Sequence, residues 1–315
     1  MSILWRQPGP GSGQVGMRFR ASWWIRLFHQ RFTATLDQGL PSFKEPEVRV
    51  NKKVFVVTGA GSGIGRALAL HLLAKGSRVA GIDLNSDSLE ETRSLAIQPK
   101  QSFTSYKVDI SDRSAVQAMP DRVVSDFGCV DGIINNAGII QPFCRLNDLD
   151  YPTIERVINV NLFGTLYVTK AFLPHLLERP EAHIANISSM GGFVPVPGQT
   201  IYGAAKAAVK LMTEGLASEL LHTNVRVSVV FPGAIATNIT TNSGLSARAP
   251  KQEGTKTMKV LSPERAAEII VNGIERNAFH IFVGKDAALM DKIYRMSPGF
   301  AARTIAGKMR DLLPD

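Results

Sequence analysis

The sequence has very little cysteine: two in 315 residues, Cys129 and Cys144. Two thiols in a chain this long cannot form a disulfide framework and point to a reducing, cytoplasmic setting. Neither sits in a spacing that would bind a metal or activate the sulfur, so both read as structural. The six histidines form no HExxH or related cluster, so no metal site is expected. No apolar run is long enough to cross a membrane, and no internal repeat is visible. The net charge of +9 is unevenly placed, with five arginines and no acid before Asp37. Residues 1–50 hold seven Lys/Arg against three Asp/Glu, a net of +4. Such an excess attracts polyanions, yet the body of the chain has no basic run beside aromatics and no nucleic-acid motif. A nucleic-acid partner is therefore not expected.

The first fifty residues differ in character from the rest. Residues 1–16 are rich in Gly and Pro and read as disordered. Residues 17–32, MRFRASWWIRLFHQRF, mix Arg with Trp, Phe and Ile. They are too short and too charged to span a membrane, and their apolar runs are too short for a secretory signal. Three readings stay open. The segment is an Arg-rich organelle-targeting or membrane-surface element, or a helix that packs on the body or on a partner subunit. Alternatively, translation truly starts at Met17 or a later codon.

What the sequence does have, from Lys52 onward, is regular alternation. Short apolar runs rich in β-branched residues read as strands: 54–59, 78–83, 105–110, 131–138, 183–189, 225–233 and 280–284. Between them lie helical patterns at 64–76, 86–96 (with Ser86 as N-cap), up to Phe127, 151–178, 202–221 and 262–276. The last of these opens with Ser-Pro, a good N-cap and first-turn pair. The strands are continuously apolar, as expected when both faces are covered. The expectation is an α/β fold: one doubly wound parallel sheet of about seven strands, helices on both faces, over residues 51–285. Residues 1–50 form a basic N-terminal extension and 286–315 a basic helical C-terminal one.

The first strand ends in TGAGSGIG, Thr58 to Gly65, and runs directly into a helix. Glycines there permit a tight turn and let backbone amides approach a pyrophosphate, while the helix N-terminus supplies positive potential. The G-x-G-x-x-G register fails at Ile64; T-G-x-x-x-G-x-G fits, with Gly59, Gly63 and Gly65. Eighteen residues after Gly65, at the end of the second strand, stands Asp83. A carboxylate there accepts both ribose hydroxyls of an adenosine and repels a 2′-phosphate. Arg66 and Arg78 are near in sequence but neither takes its place. NAD is thus favoured over NADP. The alternative is that Asp83 merely caps the following turn.

Residues 202–206 read YGAAK. A Tyr and a Lys four apart share a helix face, and alone such a pair is more often packing than chemistry. Together with TGAGSGIG, NNAG (135–138), Asn161 in NVNLFG, Ser189 in ISS, and PG (232–233) followed by Thr237, the chain resembles the short-chain dehydrogenase/reductase family over about residues 50–285. That resemblance implies a Rossmann-type fold and NAD(P)-linked interconversion of an alcohol and its carbonyl, with a small-molecule substrate and a homodimer or homotetramer. It assigns Tyr202 as general acid/base, Lys206 as its partner, Ser189 as donor to the substrate oxygen, and Asn161 as anchor of a water. Gly59, Ser62, Gly63, Ile64 and Gly65 would cradle the cofactor, with Asp83, Asp109 and Ile110 around its adenosine. Asn136, Ala137, Gly138, Pro232, Gly233 and Thr237 would line the rest, Thr237 reaching the carboxamide.

An ammonium one turn from the phenol, together with the cationic nicotinamide ring, is expected to favour phenolate and so lower the pKa of Tyr202. Met190 and Phe193, with Ser189 and Tyr202, are expected to form the substrate wall, which favours a hydrophobic secondary alcohol or ketone. Residues 234–260 would form a polar lid. The rival readings are an NADP-linked carbonyl reductase, a catalytically silent NAD-responsive regulatory protein, and a dehydrogenase held at a membrane surface through residues 17–32.

Overall fold

The computed structural model describes residues 49–97, 102–237, 239–245 and 260–308. The expectations for residues 1–48, including the segment 17–32, fall outside the described residues, as does most of the expected lid. The seven strands are β1 (Val54–Thr58), β2 (Arg78–Asp83), β3 (Phe103–Lys107), β4 (Gly132–Asn135), β5 (Ala182–Ile187), β6 (Val225–Pro232) and β7 (His280–Val283). They form one sheet in the order β3-β2-β1-β4-β5-β6-β7, and every pairing is parallel.

Alternation along the strands divides the apolar side chains between two layers. Phe55, Val57, Ile134 and Val230 join Leu68, Leu72 and Leu73 of α1 (Gly63–Ala74), Leu89 of α2 (Ser86–Leu95), and Ile270 and Ile274 of α9 (Pro263–Glu275). Val54, Val56, Ile133, Ile184 and Val227 face the other layer. There they meet Val116 of α3 (Arg113–Gln117), Val123 and Phe127 of α4 (Met119–Phe127), and Val168 and Phe172 of α6 (Thr165–Leu177). Both faces are covered, which is why the strands read as unbroken apolar runs. This is the Rossmann-like, doubly wound fold.

Local boundaries differ from the sequence reading in instructive ways. Asn85, not Ser86, caps α2, accepting from the amides of Asp87 and Ser88; Asn and Ser are near-equal caps, and here the extended backbone falls on the Asn. The stretch up to Phe127 is two helices, α3 and α4, with Pro120 in the first turn of the second. The expected long helix at 151–178 is α5 (Tyr151–Ile158), a π-helical turn over Asn159–Gly164, then α6.

Asn161 accounts for that turn. Its side-chain amide donates to the Val157 carbonyl at 2.9 Å and to the Ile139 carbonyl at 2.8 Å. Its Oδ1 accepts from the Ile139 amide at 3.2 Å. The residue is fully buried. A side chain thus takes a carbonyl that the helix backbone would otherwise use, and one wide turn absorbs the mismatch. Asn161→Ala leaves these buried groups unpaired and is expected to destabilise the fold by about 3 kcal/mol in urea unfolding at pH 7. A change within experimental error would remove this role.

Candidate active site

The strand order reverses direction between β1 and β4, where the connections leave to opposite sides and a crevice opens beyond the carboxyl ends. The β1–β4 ladder ends at Val57 opposite Ile134. From there Thr58 continues the seam with its side chain. Its Oγ1 accepts from the amides of Asn136 and Ala137, both at 3.0 Å, and its carbonyl accepts from Asn136 Nδ2 at 3.0 Å. Behind the seam, Asn135 Nδ2 donates to Thr169 and to Asn186, and Asn186 donates to Thr213. All four are buried, so the ends of β4 and β5 are tied to the helices behind them by paired polar groups rather than apolar contact alone.

Above the seam lies a cleft of about 820 Å³. It is lined by Gly59, Ser62, Gly63 and Ile64 from the glycine turn, Asp83 after β2, and Asp109 and Ile110 after β3. Asn136, Ala137 and Gly138 follow from β4, with Ser189, Tyr202, Lys206, Pro232, Gly233 and Thr237 on the remaining walls. The structure thus gathers in one place residues that the sequence scatters over nearly 180 positions.

The glycine turn fits a pyrophosphate. Gly59 and Gly63 have φ of +68° and +52°, a region that side chains avoid. A Cβ on Gly65 would collide with the Gly59 carbonyl. Gly65 therefore lies outside the lining and acts by letting α1 start hard against the strand end. Ser62, the N-cap of α1, makes no side-chain cap bond, so the first amides of that helix remain available for an anion. Asp83 works in two ways. Its Oδ2 accepts from the Gly61 amide at 2.9 Å and its Oδ1 from the Asn85 amide at 3.0 Å, so it braces the glycine turn as well as facing the cleft. Arg66 is engaged elsewhere, on Glu91 at 2.6 Å and on the Gly61 carbonyl. Arg78 stacks 5.6 Å from the Phe127 ring.

Tyr202 and Lys206 come from α7 (Thr200–Glu219) and Ser189 from the turn after β5. The Ser189 hydroxyl accepts from the Gly191 amide at 3.0 Å. Lys206 is 4% exposed; its Nζ donates to the Ile187 carbonyl at 3.0 Å and lies 5.9 Å from the Tyr202 ring centre. Burial pushes this ammonium down to about 8. Burial also raises the Tyr202 phenol, opposed by the Ser189 hydroxyl. Within the chain itself, then, burial outweighs the lowering expected for Tyr202. Helical spacing gave the proximity correctly, but it carried no information on desolvation.

Asn161 lies outside the cleft lining, behind Gly138, where a Cβ would come within 2.6 Å of Asn161 Oδ1 and 3.2 Å of Lys206 Nζ. Met190 and Phe193 are also not among the lining residues. Phe231 and Phe282 are paired across β6 and β7 and stack at 5.2 Å. Phe193 settles edge-on against this pair at 5.4 and 6.5 Å, and 6.5 Å from Tyr294. The aromatic cluster takes the ring that sequence reasoning gave to substrate. Conversely, Ile140, Arg156, Val160, Ile239 and Asn242 line the cleft with no signal in sequence. Asn242 Nδ2 donates to Ser62 Oγ at 2.8 Å and the Ile140 amide donates to Ser243 at 2.9 Å, so the short helix Ile239–Asn242 bridges to both the glycine turn and the β4 side.

Burial pushes the thiols of Cys129 and Cys144 upward, away from reactivity. Among the described residues no group of His, Cys, Asp and Glu could hold a metal, and no helix is long and apolar enough to cross a membrane.

A dinucleotide-type α/β fold with a glycine turn opposite a Ser–Tyr–Lys cluster defines a class of oxidoreductases, and comparison with known proteins agrees. The short chain dehydrogenase family profile matches residues 53–247. The chain belongs to the short-chain dehydrogenase family. It is 38% identical over 268 residues to SadH of Mycobacterium tuberculosis, covering 83% of this chain and 97% of that one. It is 33% identical over 226 residues to the 3-oxoacyl-[acyl-carrier-protein] reductase FabG of Thermotoga maritima, covering 71% and 91%. Among solved structures, a short chain dehydrogenase/reductase from Burkholderia phymatum in complex with NAD superposes with a TM-score of 0.71 at 25% identity, covering 80% of this chain and 96% of that one.

The buried lysine gives a pH dependence with a definite sign. A group whose folded pKa lies below its unfolded value of 10.5 is less protonated in the native state between those pH values. Native stability should therefore rise from about pH 8 towards pH 10.5, relative to a Lys206→Met variant in which this contribution is absent. Paired urea titrations across that range read the difference; a flat or falling difference would show that Lys206 is not desolvated.

Proposed function

We propose that the protein is an NAD-dependent oxidoreductase that interconverts a hydrophobic secondary alcohol and its ketone, with Tyr202 as general acid/base. The observation that carries this reading is the placement of Tyr202, Lys206 and Ser189 on the wall of the same cleft as the glycine turn and Asp83.

The residues would hold the dinucleotide as follows. The amides at the start of α1 and the turn Gly59–Gly65 take the pyrophosphate. Asp83 takes the ribose hydroxyls, Asp109 and Ile110 border the base, and Gly138, Gly233 and Thr237 border the nicotinamide. When bound, the cofactor supplies the hydride acceptor or donor. Lys206 Nζ sits beside Gly138 and Tyr202, where its charge favours the phenolate once the Ile187 carbonyl shares it. Tyr202 removes the hydroxyl proton of the alcohol in oxidation and returns it to the carbonyl oxygen in reduction. Ser189 donates to that oxygen as charge develops on it. Asn161 fixes the main chain at Ile139, and any water that relays the proton would lie between it and Lys206.

The choice of NAD rests on Asp83 at the ribose position and on Arg66 and Arg78 being engaged elsewhere. The NAD in the Burkholderia relative supports it. Ile139, Ile140, Val160, Ile187 and Ile239 line the cleft and favour an apolar substrate. We further propose a homo-oligomer, from the family.

The test is a spectrophotometric screen of NAD+ and NADP+ reduction against a panel of secondary alcohols. NAD+ should exceed NADP+ by more than about tenfold in kcat/KM; equal use of both would defeat the assignment of Asp83. With an alcohol that reacts, Tyr202→Phe should lower kcat by at least ~10³-fold while leaving NAD+ affinity intact. Wild-type turnover by that variant would refute the acid/base role.

A further inference from the structure

Helix α7 carries Tyr202 in its first turn, yet its own sequence provides no cap. The N-cap residue is Gln199, whose side chain makes no hydrogen bond to the helix amides. The leading amides of a helix have no partner within it, and a buried helix start must find acceptors elsewhere. Here the acceptor comes from 60 positions away in the chain. Gln141 Oε1 accepts from the amides of Ile201 at 2.9 Å and Tyr202 at 3.0 Å. These are the second and third helical positions, the pair an N-cap side chain ordinarily serves. Gln199 turns the other way and donates through Nε2 to the Gln141 carbonyl at 2.8 Å. The two glutamines therefore clasp each other.

The orientation of the Gln141 amide follows from these bonds. The side chain is fully buried and its Nε2 has no partner among the described residues, so Oε1 is held by the two helix amides alone. Gln141 also stands three residues after Gly138, on the strand-end segment that lines the cleft through Gly138, Ile139 and Ile140. Asn161 holds this segment at Ile139. Gln141 holds its far end and passes that anchorage to the amide of Tyr202 itself.

We propose that Gln141 is a positioning residue for Tyr202: as an N-cap supplied from the β4 wall, it fixes the acid/base against the surface that faces the cofactor. It touches neither substrate nor cofactor, being buried outside the cleft lining. The inference rests on the acid/base reading of Tyr202 given above.

The test uses the full chain and two variants. Gln141→Met keeps the length of the side chain and removes the oxygen; Gln141→Glu keeps the cap oxygen, exchanges the unpartnered NH2 for a second oxygen, and adds a negative charge at a helix N-terminus, which favours one. Amide exchange with NAD+ bound should accelerate about tenfold or more at Ile201 and Tyr202 in the Met variant, and stay protected in the Glu variant. With an alcohol found in the screen, Gln141→Met should lose about 10²-fold in kcat, since small misplacements of a reacting group cost that much. NAD+ affinity should hold within about twofold, and Gln141→Glu should recover most of the loss. In a Tyr202→Phe background, Gln141→Met should cost nothing further, because it acts through that residue.

Normal kcat or unchanged amide exchange in Gln141→Met would overturn the role. So would a loss that adds in full to that of Tyr202→Phe, or a parallel loss of NAD+ affinity. If no alcohol in the panel reduces NAD+, or Tyr202→Phe turns over normally, the acid/base reading fails first and the positioning role falls with it.

Discussion

The seam between β1 and β4 is the constraint on which the site depends. Parallel strands tied by a backbone ladder must diverge where their connections leave to opposite sides, and the ladder here stops at Val57 and Ile134. One threonine carries the seam further. By accepting two amides on its hydroxyl and a side-chain amide on its carbonyl, Thr58 holds the start of the glycine turn at a fixed distance from Asn136 and Ala137. Each other wall refers to this one. Asp83 braces the glycine turn from β2, Asn161 braces Ile139 behind Gly138, and the Asn135–Asn186–Thr213 chain ties β4 to β5 and to the helix that bears Tyr202.

The electrostatics follow from how deeply that helix is set. An ammonium with 4% exposure cannot draw on water, and Lys206 takes a backbone carbonyl instead. The phenol beside it is likewise raised by burial, and only the serine hydroxyl opposes this within the chain. Burial thus brings the ammonium down to about 8, while it holds the phenol in its protonated form. A positive ring or a developing negative oxygen placed in the cleft acts on groups with little solvent to screen them.

Much of this was legible in the sequence, for identifiable reasons. Strands covered on both faces read as unbroken apolar runs, so the fold class could be read directly; the glycine turn and YGAAK hold their residues by local spacing, while most other residues expected around the cleft came from the family resemblance. What could not be read involves contacts between distant segments. The π turn depends on Asn161 meeting Ile139; Phe193 is captured by two rings brought into register by β6 and β7. The helix of Tyr202 is capped by a glutamine that no local pattern connects to it. Asp83 shows the mixed case: the turn-capping role and the cleft-facing role, weighed as alternatives, are both present in one carboxylate.

Gly138 lies against both Asn161 and Lys206, and a methyl group there would press on both at once. Gly65 is as confined against the Gly59 carbonyl. At these two addresses the molecule is defined by atoms it does not have. A side chain is barred at both positions, whereas Ile140, Arg156 and Ile239 line the cleft with side chains of their own.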